Sequence, residues 1–428
     1  MNNRKTVTII GGGLAGLTAA YRLSKNEDYQ VTLLEGDDRV GGRVKTVFVA
    51  NQPVDIGGFM VFPWYKHFRA LLKELDLEDR LKNFANYNEY YQLESGGGYI
   101  KDSDVPIWQV LPWKLMPHLI IPFLTNKLDF YEPDLEFLNG ESVKQAFDEI
   151  TGNQSESEKL AAQVATSYTY AELDEIPIGL YLGFGYKLLA HHLFDKCQYI
   201  EGGTEKLTNS LVRSIKENGG IIRTGQKVIS AKPGVVKTES DEYISNFVIL
   251  ANGLHDPLVS QTLGGKQSTN NAWYTNHYAA VLKLDRNAQF NGETNWMVTY
   301  NRMSEDKSPS IASIGNLGGI TGEKGNKIVF LYLRIHHEDK TKYSDKDIKG
   351  LIINNINKHL AEVKIEEFLE LHHWQYTMPV VSTKLISDIR ENQGVNNIYY
   401  AGDFMGSPCM ETAVYTGHKV AKLIESNN

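Results

Sequence analysis

The sequence predicts an α/β fold in which a domain built on a parallel sheet is interrupted by a second domain of α+β type. Residues 7–16 form an apolar strand that runs directly into a Gly-x-Gly-x-x-Gly turn. Segments that combine helix, glycine and strand return at 198–253 and again at 398–424. Between them lie 59–197, which is rich in aromatic residues, and 272–374, which is rich in strand-forming residues. This arrangement is typical of a discontinuous parallel-sheet domain.

The N-terminal segment is typical of the first βαβ unit of a dinucleotide-binding, Rossmann-like domain. A predicted helix follows the glycine turn, and a second strand then ends on Glu35, 19 residues after Gly16. In such a unit Gly11 permits the tight turn, Gly13 lets the backbone approach a pyrophosphate, and Gly16 allows close packing of helix and strand. The helix N-terminus offers N–H groups to the phosphates, and Glu35 can accept hydrogen bonds from a ribose diol.

The other segments divide the rest of the chain between two domains. We expect residues 1–58, 198–271 and 375–428 to form the dinucleotide-binding domain, and residues 59–197 and 272–374 to form the substrate-binding domain. An interface between domains is a usual place for a ligand cleft. Helices are predicted over 142–150, 156–167, 178–193, 207–215, 345–360 and 410–424, and strands over 221–223, 227–231, 247–251, 278–284, 296–300, 327–335 and 398–401.

Composition argues against several classes of function. A net charge of −8 over 428 residues leaves no basic face for a nucleic acid, so we expect no nucleic-acid partner. The two cysteines, Cys197 and Cys409, form neither a disulfide framework nor a metal-ligand cluster, and a reducing cytoplasm suits them best. The first residues lead directly into a strand, which leaves no room for a secretory signal.

Residues 105–124 are the most apolar stretch of the chain. Four prolines, Lys114 and His118 make this stretch a poor candidate for a membrane span. We interpret it as a piece that lines an apolar core or pocket, with peripheral contact to a membrane as the alternative.

Three pairs of adjacent histidines occur: His191–His192, His336–His337 and His372–His373. Adjacent side chains point to opposite faces of a strand and diverge by about 100° on a helix. Such a pair is a poor ligand for one ion unless further residues join it. We therefore predict no metal site.

Further motifs indicate a cofactor with two phosphates and a flat ring. Residues 38–43 read DRVGGR, in which Arg43 could neutralise a pyrophosphate. Residues 54–59 read VDIGGF, where glycines could bring backbone against a ring. The C-terminal part reads YAGD at 400–403 and META at 410–413. The first of these places an acid at a strand end, where it can bind a polyol, and the second places a helix N-terminus where it can face an electronegative ring edge.

In this order the motifs resemble those of the FAD-dependent amine oxidase superfamily, which includes phytoene and squalene-type desaturases and protoporphyrinogen oxidase. The resemblance runs from residue 7 to residue 424. It includes the glycine turn with Glu35, the Arg39-x-Gly-Gly-Arg43 element, Gly57-Gly58, Gly202-Gly203, the strand at Val228, Trp374 followed by Pro379, and the C-terminal motifs. A nicotinamide-binding domain would explain only the first of these motifs, the glycine turn.

The resemblance implies which residues contact FAD. The pyrophosphate would lie against Gly11, Gly13, Leu14, Ala15, Gly16, Gly42 and Arg43. Glu35 would bind the adenosine ribose, and the backbone of Val228 would contact the adenine. The isoalloxazine would be bordered by Gly57, Gly58, Phe59 and Trp374. The ribityl chain would meet Gly402 and Asp403, and the pyrimidine edge would meet the amides of Met410, Glu411, Thr412 and Ala413. Val228 and Trp374 could instead be core residues, and Asp403 could be a helix cap.

Departures from amine oxidases argue against ordinary amine oxidation. Cys409 stands where monoamine oxidases have an aromatic residue of the cage around the amine. Residues 275–281 of the central strand of the substrate domain offer His277 and Tyr278 but no lysine, and Thr412 stands where a glycine is common. No cysteine lies near Trp374 in the position used for covalent attachment, so the resemblance implies non-covalent FAD.

We expect a flavoprotein that removes a hydride from a C–H bond and leaves a double bond in the product, with the flavin N5 as acceptor. A small lipophilic substrate would suit the apolar stretch and a set of aromatic residues. These residues could equally be plain core: Phe59, Tyr168, Tyr170, Tyr181, Phe184 and Tyr186.

Three alternatives stay open. An amine or amino-acid oxidase using O2 would be supported by a guanidinium that faces a substrate carboxylate, for which Arg334 is the candidate. A non-redox carrier of a prenylated or lipid ligand would keep the architecture, as Rab GDP-dissociation inhibitors do. A flavin-dependent isomerase would use reduced FAD without net turnover.

Overall fold

The structure is a computed structural model of the chain. It describes residues 4–86, 90–92, 98–101, 104, 120, 129–132, 142–151, 169–177, 197–263, 272–296, 299–300, 308–339 and 341–427. Two sheets and the helices that pack on them position the candidate site.

A five-stranded parallel sheet is built from segments that are far apart in the chain. The N-terminal strand lies at its centre, because its apolar residues Val7, Ile9 and Ile10 are all buried and can pack on both faces. The order across the sheet is Ile398–Tyr400, Phe247–Leu250, Lys5–Ile10, Tyr29–Leu34 and Ile221–Arg223. The glycine turn and Asn252 therefore follow neighbouring strands at the same edge, which is where ligands bind in such sheets.

Helices cover this sheet. The first helix packs against the C-terminal helix so closely that a Cβ on Gly417 would overlap the carbonyl oxygen of Ala15. The α-helices of the described residues are Leu14–Ser24, Lys66–Glu74, Val143–Thr151, Glu205–Glu217, Pro257–Thr262, Leu317–Thr321, Asp345–Ile356, Thr383–Glu391 and Met410–Ser426. Short 3-10 turns span Glu78–Arg80, His337–Asp339, Val395–Asn397 and Asp403–Met405.

A second sheet has seven strands and is mostly antiparallel. Its order is Ile365–Trp374, Asn276–Leu284, Ile328–Ile335, Ser310–Asn316, Thr299–Tyr300, Tyr90–Gln92 and Tyr99–Lys101. The register places His277 opposite Arg334 on one side and opposite Trp374 on the other. The smaller sheets consist of Val228–Lys232 with Val235–Thr238 and Glu242–Ile244, Thr46–Val49 with Gln52–Asp55, Leu81–Asn83 with Gln198–Ile200, and Ala272–Tyr274 with Pro379–Val381.

Most predicted elements of the described residues are present with small shifts at their ends. The strand Ile221–Arg223 has the predicted bounds, whereas the helix predicted over 345–360 ends at Ile356 and continues as a turn. Three strands within 81–101 were not predicted, because three residues are too few to show an alternating pattern. The helices predicted over 156–167 and 178–193 lie outside the described residues. The domain bounds stay a prediction.

The apolar stretch 105–124 lies outside the described residues, apart from Ile120. Of the aromatic residues considered for a pocket, Tyr168, Tyr181, Phe184 and Tyr186 also lie outside them. In the part of the chain that the structure describes, every helix is too short or too polar to cross a bilayer.

Candidate functional site

The glycine turn connects the central strand to the first helix. Gly11 has a φ of +102°, a left-handed conformation that favours glycine. A Cβ on Gly16 would overlap the carbonyl oxygen of Gly11, so helix and strand can approach this closely only with glycine here. Gly13 is the N-cap of the helix, without a side-chain cap, and a Cβ on it would meet nothing within 4 Å. Leu14 and Ala15 follow and are buried. The N–H groups of a first helical turn have no intrahelical partner.

Glu35 lies beside the glycine turn. Its carboxylate accepts hydrogen bonds from the N–H groups of Gly12 at 2.6 Å and Asp37 at 2.9 Å. Burial raises the pKa of Glu35, although these two hydrogen bonds oppose the shift. The Glu35 carbonyl accepts a hydrogen bond from the N–H of Gln226 at 2.8 Å, which brings the start of the strand at Val228 to the same place. Val228 itself is buried.

The loop 38–43 packs against the glycine turn. A Cβ on Gly42 would lie 3.2 Å from the Cα of Gly13, so the two backbones are in contact. Arg39 donates hydrogen bonds to carbonyl groups of its own loop and so stabilises it. The loop therefore presents Arg43, rather than Arg39, to the rest of the site.

Arg43 and Asp403 form a two-point ion pair. The guanidinium donates from Nη1 to Oδ2 at 2.8 Å and from Nη2 to Oδ1 at 2.6 Å. Nη1 also donates to the carbonyl of Thr377 at 2.5 Å. Asp403 is 6% exposed, whereas Arg43 is 37% exposed. The N–H of the preceding Gly402 donates to Thr416 Oγ1 at 3.0 Å, which fixes the strand end that carries Asp403.

A second glycine pair lies beside the C-terminal helix. The N–H of Gly58 donates to the carbonyl of Arg43 at 3.0 Å, and a Cβ on Gly58 would lie 3.3 Å from the Met410 side chain. Trp374 is buried and donates from Nε1 to the carbonyl of Ile56 at 2.8 Å. The structure thus brings Gly57, Gly58 and Trp374, three of the four residues predicted to border the isoalloxazine, close to Met410, whose amide was predicted to meet the pyrimidine edge.

The first turn of the C-terminal helix begins at this point. The amides of Met410 and Glu411 lie where no intrahelical carbonyl can satisfy them. The N–H of Thr412 donates to Cys409 Sγ at 3.5 Å, and that of Ala413 donates to the Cys409 carbonyl at 3.1 Å. Burial raises the pKa of the Cys409 thiol to about 12, so this group is a neutral thiol at physiological pH.

Two side chains of this turn point away from it. Glu411 is fully buried, and its carboxylate accepts hydrogen bonds from the N–H groups of His67 at 2.8 Å and Phe68 at 2.7 Å and from the Tyr131 hydroxyl at 2.6 Å. It therefore caps the N-terminus of the helix Lys66–Glu74, a role that sequence analysis missed. Thr412 donates to the Ser407 carbonyl at 2.6 Å. Glu411 is left with its backbone amide for a ligand, whereas the N–H of Thr412 is already directed at Cys409 Sγ.

Asn252 supplies a further test of whether the cleft fits FAD. Its side-chain Nδ2 and Oδ1 are buried and make no hydrogen bond within the described residues. A Cβ on Gly11 would lie 2.8 Å from the Asn252 N, so the carboxamide belongs to a residue that adjoins the glycine turn. Buried polar atoms nearly always have partners. An unsatisfied carboxamide beside an uncapped helix N-terminus fits a ligand with phosphate and hydroxyl groups. Sequence analysis missed Asn252, although its place directly after a parallel strand is a signal.

Beside Trp374, a buried histidine lies among aromatic rings. His277 stacks on Tyr170 with ring centroids 4.4 Å apart and meets Tyr332 edge-on at 5.2 Å. We call these three residues the aromatic wall. His277 Nδ1 lies 3.1 Å from the Thr377 hydroxyl. Burial lowers the pKa of His277 to about 3, with smaller contributions from neighbouring histidines, so the imidazole is neutral at physiological pH.

Two polar atoms of the aromatic wall have no hydrogen-bond partner in the described part of the chain. They are Nε2 of His277 and the hydroxyl of Tyr332, and both are buried. Sequence analysis named His277 and Tyr170 but missed Tyr332, because nothing in the strand pattern distinguishes it from a core tyrosine.

Phe59 borders a cavity of about 320 Å³. Its ring packs edge-on against Phe330, with centroids 5.9 Å apart, and lies 6.2 Å from that of Phe84. The cavity wall combines apolar residues with the charged residues Asp55, Glu201 and Glu323. Phe59 therefore follows Gly57 and Gly58 in the sequence and lines a cavity in the structure.

Arg334, the candidate guanidinium for a substrate carboxylate, is already paired. Its side chain is 2% exposed, and Nη1 lies 2.8 Å from Oε1 of Glu172. Nε donates to the Tyr170 carbonyl at 3.3 Å. A substrate carboxylate would have to displace Glu172 to reach it.

The expectation that adjacent histidines diverge is wrong for His336 and His337. The strand ends at Ile335 and a 3-10 turn begins at His337, so the two rings lie side by side with centroids 4.4 Å apart. Together with Glu175 they bring three potential ligand atoms within 4.8 Å of one another. His191–His192 lies outside the described residues.

Comparison with known proteins gives a family match over nearly the whole chain. The model of the family described as flavin containing amine oxidoreductase matches residues 14–424. Coproporphyrinogen III oxidase of Mycobacterium bovis is 40% identical over 78 residues, which are 18% of this chain and 17% of that protein. L-amino-acid oxidase of Crotalus adamanteus is 39% identical over 88 residues, which are 21% of this chain and 16% of that protein. The chain thus spans about a sixth of the length of these curated relatives.

A solved structure shows the same fold over the whole chain. The CLA-producing fatty acid isomerase from P. acnes has a TM-score of 0.75 and 15% identity, and the match covers 100% of this chain and 99% of that one. The structural likeness agrees with the predicted fold class. The family match agrees with FAD as cofactor. The chain belongs to the flavin-containing amine oxidoreductase family.

Proposed function

We propose that this protein uses non-covalently bound FAD to remove a hydride and a proton from neighbouring atoms of a small lipophilic molecule, leaving a double bond. The observation that carries this proposal is the aromatic wall beside Trp374, in which a neutral His277 lies between Tyr170 and Tyr332. Bound FAD would supply the two-electron acceptor at its N5.

The polar groups of the cleft support a placement of FAD along it. The pyrophosphate would lie at the open N-terminus after Gly13, with the adenosine ribose at Glu35. Arg43 is exposed enough to reach the phosphates while it keeps its pair with Asp403, which would meet the ribityl chain. The isoalloxazine would lie between Trp374 and the first amides of the C-terminal helix. The two domains predicted above would then share this cleft.

The charges near the aromatic wall favour an uncharged substrate. Glu172 is paired with Arg334, and Asp403 is paired with Arg43. Asp55 accepts hydrogen bonds from the hydroxyl and N–H of Thr204. A substrate ammonium would therefore compete with existing partners for each of these carboxylates, whereas an apolar substrate gains free energy from burial against the rings. The pairing of Arg334 likewise argues against an amino-acid substrate.

The chain has a defined task in such a reaction. Bound FAD would accept a hydride with both electrons of one C–H bond of the substrate. The neighbouring carbon would lose its proton to solvent water, and the electron pair of that second C–H bond would form the double bond. Nε2 of His277 and the Tyr332 hydroxyl can hydrogen-bond a polar substituent and so orient the substrate. A pKa of about 3 makes His277 a poor proton acceptor, so we assign it orientation rather than base catalysis.

The test is anaerobic reduction of the purified yellow protein by three substrate panels: saturated fatty acyl esters and partly reduced polycyclic compounds, which are uncharged, primary amines, and amino acids. We expect bleaching of the visible flavin band by the first panel alone, with a product lighter by two hydrogens. Bleaching by amines or amino acids would contradict the proposal. A product of unchanged mass with the flavin band restored would show isomerisation and would also contradict it.

A pair of variants at Tyr332 tests the role of the aromatic wall. Tyr332→Ser removes the ring and should raise the KM for the apolar substrate at least about tenfold, because a buried ring contributes about 1.5–3 kcal/mol. Tyr332→Phe keeps the ring but removes the hydroxyl that orients the substrate, so it should leave KM nearly unchanged and lower kcat. Equal KM values in Tyr332→Ser and the unmodified protein would show that the substrate does not bind against this wall.

A further inference from the structure

Three side chains converge at the end of the strand Ile328–Ile335. Oε1 of Glu175 lies 3.4 Å from Nδ1 of His337 and 4.0 Å from Nε2 of His336. All three atoms lie within 4.8 Å of one another. The cluster joins the end of the sheet to the segment 169–177, which also contributes Glu172 as the partner of Arg334.

The atoms that face one another in this cluster are available to bind an ion. The two ring nitrogens are buried and make no hydrogen bond within the described residues. The second carboxylate oxygen of Glu175, Oε2, accepts the N–H of Glu172 at 2.8 Å, which leaves Oε1 directed at the histidines. The far nitrogen of His336, Nδ1, lies 3.8 Å from Oε2 of Glu338. A carboxylate beside the non-ligating nitrogen is usual for metal-binding histidines, because it fixes the tautomer and orients the ring.

An ion pair with Glu175 would explain the position of only one of the two histidines. One protonated histidine could pair with Glu175, but a second buried imidazole would then lie beside a like charge or without a partner. The nearby cation, Arg334, is paired with Glu172 and does not take up the Glu175 oxygen.

The donor set and the spacing suit a transition metal. Two neutral imidazoles and one carboxylate are a known ligand set for Zn²⁺, which normally has four tetrahedral ligands. With metal–ligand bonds of about 2.1 Å, tetrahedral ligand atoms lie about 3.4 Å apart. The distance from Oε1 of Glu175 to Nδ1 of His337 already has this value. Nε2 of His336 would have to approach the same oxygen by roughly half an ångström.

We propose that Glu175, His336 and His337 bind a divalent transition metal ion, Zn²⁺ being the ion that the donor set suits best. The ion would tie the segment 169–177 to the end of the sheet. Because this segment carries Tyr170, which stacks on His277, the metal would restrain the aromatic wall. Three protein ligands leave one position for a water molecule. The site does not depend on the function proposed for FAD.

The experiment measures Zn²⁺ binding to the full-length holoprotein after removal of any affinity tag and treatment with EDTA. We expect titration calorimetry and metal analysis after dialysis to give one Zn²⁺ per chain, and the unfolding midpoint to rise with Zn²⁺. X-ray absorption at the zinc edge should show two imidazole ligands. Absence of stoichiometric binding would overturn the proposal.

Variants then locate the site. Glu175→Gln, His336→Gln and His337→Gln should each weaken Zn²⁺ binding by about tenfold or more. His418→Gln is the matched control, because His418 also has a buried ring nitrogen without a hydrogen bond among the described residues but belongs to no such cluster, and it should bind Zn²⁺ normally. Glu338→Gln changes an exposed residue, so we expect normal folding, and it should weaken binding in the same direction to a smaller extent. Unchanged affinity in Glu175→Gln and Glu338→Gln would contradict the assignment.

Discussion

Arg43 holds both carboxylate oxygens of Asp403, at 2.8 and 2.6 Å, and so ties the N-terminal loop to the C-terminal end of the parallel sheet. Asp403→Asn keeps the shape of the side chain but removes its charge. We expect the free energy of unfolding to fall by about 2 kcal/mol, because a mostly buried partner of the guanidinium is lost. FAD occupancy, measured as the ratio of flavin to protein absorbance, should fall as well.

Asp76→Asn, at an exposed turn, is the control for this change and should alter neither quantity. Unchanged stability and full FAD occupancy in Asp403→Asn would show that the ion pair contributes neither to folding nor to FAD binding.

The pH dependence of FAD binding tests Glu35. The ionised carboxylate is the form that accepts hydrogen bonds from ribose hydroxyls, and burial raises the pKa of Glu35. Protonation therefore begins at a higher pH than for an exposed glutamate, and FAD affinity should decline as pH falls through this raised pKa. Glu35→Gln should bind FAD more weakly at pH 7 and without that decline. Parallel pH profiles for the two proteins, from fluorescence titration of apoprotein with FAD, would argue against this role.

Two glycines of the first turn should respond differently to alanine. A Cβ on Gly16 would overlap the Gly11 carbonyl oxygen, so Gly16→Ala should destabilise the fold itself. A Cβ on Gly13 meets no protein atom, so Gly13→Ala should fold normally and lose FAD, because the methyl group would occupy the space assigned to the pyrophosphate. Far-UV circular dichroism and flavin content distinguish the two effects.

Gly350→Ala is the control for this pair. It lies in the helix Asp345–Ile356 with nothing near its Cβ, and it should keep both fold and flavin. Normal flavin content in Gly13→Ala would show that the pyrophosphate does not bind at this turn.

His277 should contribute to loss of stability in acid. Its pKa in the folded protein is lowered to about 3, whereas an ordinary histidine has 6.5, so the folded state favours the neutral ring. This contribution to stability is fully present above pH 6.5 and is lost progressively as pH falls from 6.5 toward 3. Denaturant unfolding at a series of pH values should show that the free energy of unfolding falls less steeply toward acid pH in His277→Gln than in the unmodified protein. The same slope for His277→Gln and the unmodified protein would mean that the ring is not buried as described.

Much of the parallel sheet could be predicted because its signals are local. Apolar strands, a glycine turn and an acid at a strand end lie within short stretches of sequence. Gly16 could therefore be placed in the turn and Glu35 at the end of the second strand. The family resemblance added the C-terminal motifs, which no local pattern connects to the first turn.

The contacts that could not be predicted join distant segments. Glu411 was assigned to a cofactor site through its backbone, but its side chain caps a helix 343 residues away, at Phe68. The pairing of Arg334 with Glu172 is likewise invisible in the sequence, because strand alternation indicates a face and not a partner. His336 and His337 converge because the strand ends between Ile335 and His337, and such boundaries are poorly defined by sequence.

We infer that both ends of the chain hold one FAD in the cleft between the first glycine turn and the C-terminal helix. A crystal structure of the yellow holoprotein would show where the flavin lies. We predict pyrophosphate density at Gly13, the isoalloxazine between Trp374 and the amides of Met410 and Glu411, and no covalent bond to the protein. Flavin density elsewhere, or a flavin bonded to a side chain, would contradict the account.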